Sequence, residues 1–362
     1  MIIAKSPSYL AGYSDTLEKR QNNYDFLRIF AALLVVLSHS FLIADNSLDH
    51  DLLMVVTHGQ ISLGRVGVFI FFVLSGFLIT GSYQRSKCPA SFLKNRFLRI
   101  MPGFLCVVLA SVFILGPLFT TLPVTEYLTQ SQTYQYLLNL TFLKWDDYLP
   151  GVFQHTHAKG YINGSLWTIR FEIYCYLVVC VLGMLNLLKR RTALILLVAT
   201  GCINALFSTG WINLPAEKGF LYFIKTFSKL YGYFSIGMLF YLFRKYIVLD
   251  TKLIALALLL LVMPFCWKIP GWLLAFPAAY LLFSFAYSPR IRFYNAAKSG
   301  DLSYGIYIYA WPIQQIMDQY LGNDANWLTI FVFSLPVILG FAWLSWHFVE
   351  KRSLQLKVQH VQ

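Results

Sequence analysis

The sequence predicts an all-α polytopic membrane protein, with about ten transmembrane helices, both termini cytosolic and one long outer-side loop between helices 3 and 4. Three observations carry that prediction. The 362 residues are 58% hydrophobic and only 12% charged, with a mean hydropathy of +0.60, well outside the soluble globular range. Several apolar runs of about 18 or more residues can each cross a hydrocarbon core roughly 30 Å thick. None alternates with the period-2 pattern of an outer-membrane barrel.

The apolar runs place helices at 24–44, 61–81, 101–119, 165–188, 192–208, 219–243, 252–267, 271–287, 302–320 and 327–349. Inward loops of a membrane protein are enriched in Lys and Arg, which makes the set of runs checkable. One set of alternate segments carries Lys19 and Arg20, then Arg85, Lys87, Lys94, Arg96 and Arg99, then Lys189, Arg190 and Arg191. It continues with Arg244, Lys245 and Lys252, with Arg290, Arg292 and Lys298, and with Lys351, Arg352 and Lys357. The opposite set has Lys144, Lys159, Lys218 and Lys268 among Asp45, Asp49, Asp51, Asp146, Asp147 and Asp324. The bias holds at every crossing, so residues 1–22 and 353–362 are expected in the cytosol, flanking a membrane domain over 23–352. The N-terminal stretch has no cleavable hydrophobic core of a signal peptide.

The formal charge of +13 does not point to nucleic acid, because the basic residues sit in short loops between apolar runs rather than on one solvent-facing patch. Six cysteines are scattered without ligand spacing, so neither a disulfide framework nor a metal site is expected. The connection from Thr120 to Gly164, far longer than the others, is rich in Tyr, Thr, Asn and Gln. Long ordered loops are more often functional than short ones, although a simple tether has the same length.

In the first helix, LRIFAALLVVLSHS sets Arg28 and His39 eleven residues apart. That is just over three turns, so both project from nearly one face, roughly 16 Å apart along the axis. Taken singly, an Arg at the interface snorkels and a membrane His bonds a neighbouring helix. Taken together, they address one cavity at two depths.

Glu172, in SLWTIRFEIYCYL, is a carboxylate inside the fourth helix and expensive unless paired. Its candidate partners are His39, whose tautomer a carboxylate would fix, and the nearby Arg170. Trp167 shares that motif. Arg96 and Arg99, in SFLKNRFLRIMP before the third helix, share a face if the stretch is helical. They either fork phosphate oxygens or anchor the chain to anionic lipid. Pro102 is expected to open the third helix.

The second helix carries Gly64, Gly67, Ser75 and Gly76 for close packing, with Arg65 near its outer entrance. The ninth, DLSYGIYIYAWPIQQIMDQY, is too polar for a lipid-facing span and is read as lining a cavity with Ser303, Tyr304, Tyr307, Gln314 and Gln315. His155 and His157 in the long loop are either contacts for an acceptor or ordinary solvated residues. A pantetheine arm has a reach comparable to the Arg28 to His39 separation. Phosphates held by Arg28, Arg96 and Arg99 would therefore leave a thioester near His39, where the imidazole is a general base for a hydroxyl arriving from outside.

At these residues the chain resembles the acyltransferase-3 family of integral membrane acyltransferases, which O-acetylate bacterial surface polysaccharides. The matching phrases are YDFLRIFAALLVVLSHS, RVGVFIFFVLSGFLIT, RFLR followed by IMP, LPGVF through NGSLWTIRFEIYCYL, SYGIYIYAWPI and FVEKR, in family order from about residue 22 to 352.

The resemblance implies a bacterial inner-membrane enzyme with acetyl-CoA as acyl donor substrate, no permanently bound cofactor, and a surface glycan or undecaprenyl-linked oligosaccharide as acceptor. His39, Glu172 and Arg28 take the catalytic positions. Arg28, Arg96, Arg99, Ser303 and Tyr304 take the donor side, and Arg65, Trp167, Arg170 and Gln314 the acceptor side. Two positions depart from the family pattern: Phe69 stands where many members are acidic, and Ala310 and Trp311 where many have a second His. The burden of base therefore falls on His39. The reading from another class is a glycan transporter or flippase, in which the same intramembrane groups recognise cargo without chemistry.

Overall fold

The computed structural model describes residues 9–11, 22–86, 88–212 and 219–356. Lys19, Arg20, Lys87, Lys218, Lys357 and most of the two terminal segments lie outside the described residues. A helix occupies each of the ten apolar segments. They are α1 (Tyr24–Asp45), α2 (Leu63–Ser86), α3 (Pro89–Phe119), α4 (Trp167–Met184), α5 (Arg190–Ser208), α6 (Phe220–Leu242), α7 (Thr251–Val262), α8 (Gly271–Ala286), α9 (Ser303–Leu321) and α10 (Trp327–Ser345). Among the described residues, β pairing is confined to isolated bridges.

Six of the helices, α1 to α5 and α10 with its continuation to Gln355, are long and apolar enough to cross a membrane. At 1.5 Å per residue, 18 residues span about 27 Å, close to the hydrocarbon thickness. The helices α7 and α8 are apolar but shorter. The long helices α6 and α9 carry polar groups, Lys225 and Lys229 in the first and Gln314, Gln315 and Asp318 in the second. Large apolar side chains stay exposed along α5 (Ile195, Val198), α7 (Leu258, Leu259) and α10 (Val332, Phe333). A water-soluble chain rarely leaves such faces uncovered; lipid is the solvent that suits them.

One expectation is corrected. The third helix begins at Pro89, not near residue 101, and Pro102 lies inside it. The basic residues of SFLKNRFLR lower the hydropathy of this stretch, yet they are good helix formers, and Pro is favoured at the first helical position. Arg96 and Arg99 therefore stand on a helix, three residues apart on one face. The same helix widens to a π-turn over Ser111–Leu115.

The residues divide into two units. The first comprises Met1–Arg28, Val68–Leu93 and Phe171–Ala296. Within it α2 and α6 touch backbone to backbone: a Cβ on Gly76 would stand 1.9 Å from the Phe234 carbonyl oxygen, and one on Gly237 would stand 1.9 Å from that of Val73. Small residues permit this approach. Asn23 ties the start of α1 to the end of α8, donating to the carbonyls of Phe285 and Ile291 at 2.9 Å each.

The second unit comprises Ile29–Gly67, Lys94–Arg170 and Ala297–Gln362. Here the beginning of α2 lies on α1, with a Cβ on Gly67 falling 2.5 Å from the Ala31 carbonyl oxygen. Likewise α9 lies on α10, where Gly305 meets the Cα of Ala342. The chain between α3 and α4 belongs to this unit and is ordered by two short helices, Val124–Thr129 and Ser131–Gln135, and by bridges pairing Thr120 with Val152 and Tyr148 with Tyr161.

Candidate active site

His39 sits on a turn of α1 that is fixed by buried polar groups on both sides. Before it, Ser38 Oγ donates to Asp51 Oδ2 at 2.7 Å. Asp51 is fully buried and also accepts from the backbone N–H groups of Leu53 and Leu63 at 3.0 and 3.1 Å. After it, Gln314 of α9 donates through Nε2 to Ser40 Oγ at 2.7 Å and to the Val36 carbonyl at 2.9 Å. The imidazole and the Trp311 ring pack nearly perpendicular, centroids 4.8 Å apart at 78°. Its Nδ1 is buried and has no hydrogen-bond partner among the described residues, so none of these fixes the tautomer through that nitrogen.

The helix α9 is also the mast to which the long loop is moored. Along it, Tyr307 shares a 2.6 Å hydrogen bond with Thr168, and the Ile308 carbonyl accepts from Asn163 at 2.8 Å. Trp311 Nε1 donates to the Tyr161 carbonyl at 3.2 Å, and its ring fills the space a Cβ on Gly164 would need. Gln315 Nε2 donates to the carbonyls of Ala158 and Tyr161 at 2.8 and 2.9 Å. At the far end, the buried Asp318 accepts from the backbone N–H of His157 at 2.8 Å and meets its Nδ1 at 2.7 Å. His157 is thus half of a loop-to-helix clasp. The polar face that made α9 unsuitable for lipid is used to hold chain.

A second cluster of this unit gathers around Arg99. Its guanidinium pairs with Asp301 and lies 3.7 Å from Glu350 Oε2, with its carbon 6.0 Å from the Trp346 ring. Asp301 also accepts from Ser303 Oγ at 2.5 Å. Glu350, only 2% exposed, accepts from Ser345 Oγ at 3.0 Å. It lies at the end of a π-turn, Trp346–Glu350, an irregularity common at functional sites. Tyr304 closes the group by donating to the Ile100 carbonyl at 2.7 Å. Arg96 lies one turn away on α3.

The other sequence-predicted residues are placed apart from these clusters or in the other unit. Arg65 is exposed and donates to the Gln60 carbonyl of its own loop at 3.2 Å. Arg170 lies over the Trp145 ring at 5.4 Å, and Trp167 opens α4. In the first unit, Glu172 accepts from Ser75 Oγ at 3.3 Å and from the hydroxyl of Tyr176. Arg28 lies near the Tyr24 hydroxyl.

The second unit therefore sets Gln314 on the α1 turn that carries His39, joins Arg99 and Ser303 through Asp301, and bonds Tyr304 to Ile100, the residue after Arg99. Sequence reasoning did not single out Asp51, Asp301, Asp318 or Glu350 as site residues. Glu350 stands in the phrase FVEKR, and Asp301 and Asp318 in the polar ninth segment, with no pattern that marks any of them as a partner of a site residue.

The acyltransferase-domain family profile matches residues 21–347. The chain is 26% identical over 339 residues to the O-acetyl transferase of Shigella phage Sf6, covering 92% of this chain and 96% of that protein. It is 28% identical over 364 residues to nodulation protein 10 of Rhizobium leguminosarum bv. viciae, covering 94% of this chain and 95% of the relative. No solved structure matches the chain.

Proposed function

The chain belongs to the acyltransferase-3 family, and from that premise we propose that it carries acetyl from cytosolic acetyl-CoA across the inner membrane of a bacterium. The acceptor is a sugar hydroxyl of a surface polysaccharide or of its undecaprenyl-linked precursor. The Sf6 relative is itself named an O-acetyl transferase, which supports acetyl as the group moved. The observation that carries the reading is His39: a membrane imidazole on a helical turn pinned from both sides, with Nδ1 bonded to none of the described residues. A histidine serving only to join helices would spend its nitrogens on neighbours.

In the proposed reaction the His39 imidazole takes the proton of the acceptor hydroxyl as that oxygen attacks the thioester carbonyl. The new C–O bond forms, the C–S bond breaks, and the coenzyme A sulfur leaves with the electron pair and receives the proton. Arg28, Arg96 and Arg99 hold the phosphates at the cytosolic end, with Ser303 and Tyr304 bracing that side. Asp301 and Glu350 fix Arg99, so its planar fork is oriented before the donor arrives. Arg65, Trp167, Arg170 and Gln314 face the acceptor, and Glu172 supplies the intramembrane acid that the family pattern places after SLW.

The test is NMR of surface polysaccharide from cells carrying the wild-type chain or His39→Ala. Acetyl signals are expected with the first and lost with the second at equal membrane abundance. Retention of most of the acetyl in His39→Ala would remove His39 from the mechanism. Labelled acetyl trapped on His39 in the absence of acceptor would replace direct transfer by a two-step route.

A further inference from the structure

Two adjacent glutamines of α9 are incomplete in the same way. Gln314 donates both N–H groups to α1, at Val36 O and Ser40 Oγ; Gln315 donates both to the loop, at Ala158 O and Tyr161 O. Backbone carbonyls only accept, so neither carboxamide can be turned over: nitrogen must face these partners and oxygen must face away. Both side chains are fully buried, and among the described residues no donor reaches either Oε1. Ser165 Oγ and His39 Nδ1 of the same unit are likewise buried without a partner among the described residues. Natural proteins leave few such acceptors without a reason, because each forfeits the hydrogen bonds it had in water.

The missing partner has a definite chemistry. A carbonyl oxygen whose own N–H groups are spent can only accept, so it asks for an O–H or N–H and repels phosphate and carboxylate. Gln314 lies one turn beyond Trp311, whose ring packs nearly perpendicular to that of His39, and it grips the α1 turn on which His39 stands. Within the acetyl transfer proposed above, on which this inference rests, we infer that Gln314 and Gln315 form a polyol subsite. Gln314 Oε1 accepts from the sugar hydroxyl neighbouring the one that is acetylated, and thereby sets which hydroxyl reaches His39. Gln315 Oε1 accepts from a second hydroxyl of the same ring.

The experiment reads acetyl position by NMR in surface polysaccharide from cells whose only acetyltransferase for that glycan is this chain. Wild type is expected to acetylate one hydroxyl. Gln314→Met, of similar length but without an acceptor oxygen, should lower positional selectivity roughly tenfold, as when a site loses a hydrogen bond it was built to make. Gln314→Glu, which keeps a carbonyl acceptor when neutral, should retain the selectivity.

If Gln314→Met does not accumulate, Ser40→Ala takes its place; it frees one N–H of Gln314 and should blur selectivity in the same direction. Unchanged selectivity in the variants overturns the subsite. So does complete loss of acetyl from both Gln314 variants at normal abundance. A raised acetyl-CoA KM in membranes with selectivity intact also overturns it, because these oxygens would then serve the amide N–H groups of the donor. Absence of acetyl with the wild-type chain would instead defeat the transfer reaction itself.

Discussion

The cluster around Arg99 can separate a residue that holds the fold from one that holds the donor. Arg99 and Asp301 are 18% and 13% exposed at their side chains, and Glu350 is 2% exposed. At 3.7 Å and an effective dielectric of about 20, the gross attraction between Arg99 and Glu350 is about 4 kcal/mol, most of it offset by desolvation. Breaking one member leaves the others buried and uncompensated, at about 3 to 5 kcal/mol in the worst case.

Arg99→Met should therefore be the most destabilising, because two carboxylates then face each other. Asp301→Asn comes next, losing the direct pair and weakening the Ser303 contacts. Glu350→Gln is the mildest, at about 1 to 2 kcal/mol, because Asp301 still engages the guanidinium. The triple variant Arg99→Met/Asp301→Asn/Glu350→Gln removes every charge and should recover to within about 1 kcal/mol of wild type. The assay is the fraction of detergent-solubilised protein surviving a temperature ramp, read as a shift in apparent Tm. Losses in the triple variant equal to the sum of the single losses would refute the coupling. The same preparation divides the roles: a stable triple variant with acetyl-CoA KM raised roughly tenfold assigns Arg99 to the donor, and an unchanged KM leaves it a purely structural pair.

Three further outcomes are expected. Trp311→Phe keeps an aromatic ring against His39 but loses the bond to the Tyr161 carbonyl, costing about 1 kcal/mol; Trp311→Ala costs about 3 to 5 kcal/mol and most of the acetyl transfer, and equal transfer in the two would dismiss the ring contact. Asp318→Ala strands the His157 backbone N–H and ring, so limited proteolysis should cut the 145–165 stretch faster while α5 to α8 stay protected; an unchanged digestion pattern counts against the clasp. Cys88, between α2 and α3, has its thiol pKa lowered first by the Ser91 backbone N–H and then by the Ser91 side chain. More thiolate is therefore present at neutral pH, so a membrane-impermeant maleimide should label Cys88 quickly from the cytosolic face, and Ser91→Ala should slow labelling at pH 7 but not above pH 10, where the thiol is ionised regardless. Labelling from the opposite face would reverse the topology read from the charge bias.

The helices were legible because apolar run length is itself the physical requirement for crossing a bilayer: the run predicted at 24–44 is α1 at Tyr24–Asp45, and 192–208 is α5 at Arg190–Ser208. The start of α3 was hidden because hydropathy penalises Lys94, Arg96 and Arg99 while helix propensity does not. His39 was legible as a group out of place in lipid, but its setting was not. In the sequence Asp51 is one loop charge among others, and nothing local announces that it folds back, fully buried, to fix Ser38. Asp318 and Asp301 were equally silent, since their partners His157 and Arg99 are distant in sequence. The π-turn that carries Glu350 leaves no periodic trace, because it is a single extra residue in an otherwise regular helix.

The setting of His39 bears on how a proton would be handled during transfer. In a hydrolytic triad a carboxylate on Nδ1 stabilises the imidazolium that forms, and among the described residues the buried Nδ1 of His39 bonds no such group. Within its own unit, Glu172 accepts from Ser75 and Tyr176. An imidazolium that is buried and unpaired is expensive to form, so a mechanism that parks the proton on His39 is disfavoured relative to one that passes it on as the C–S bond breaks. The departing sulfur is the natural destination, since it gains a negative charge at the moment the imidazole gains a positive one. Proton uptake and thiolate departure are then coupled, and a solvent deuterium effect on acetyl transfer should accompany any donor whose leaving group is as basic as a coenzyme A thiol. A donor with a far better leaving group, such as an aryl thioester of coenzyme-like length, should show a smaller effect. Equal isotope effects for the two donors would mean that the proton rests on His39 after all, and that an acid absent from its Nδ1 must be sought on its other nitrogen.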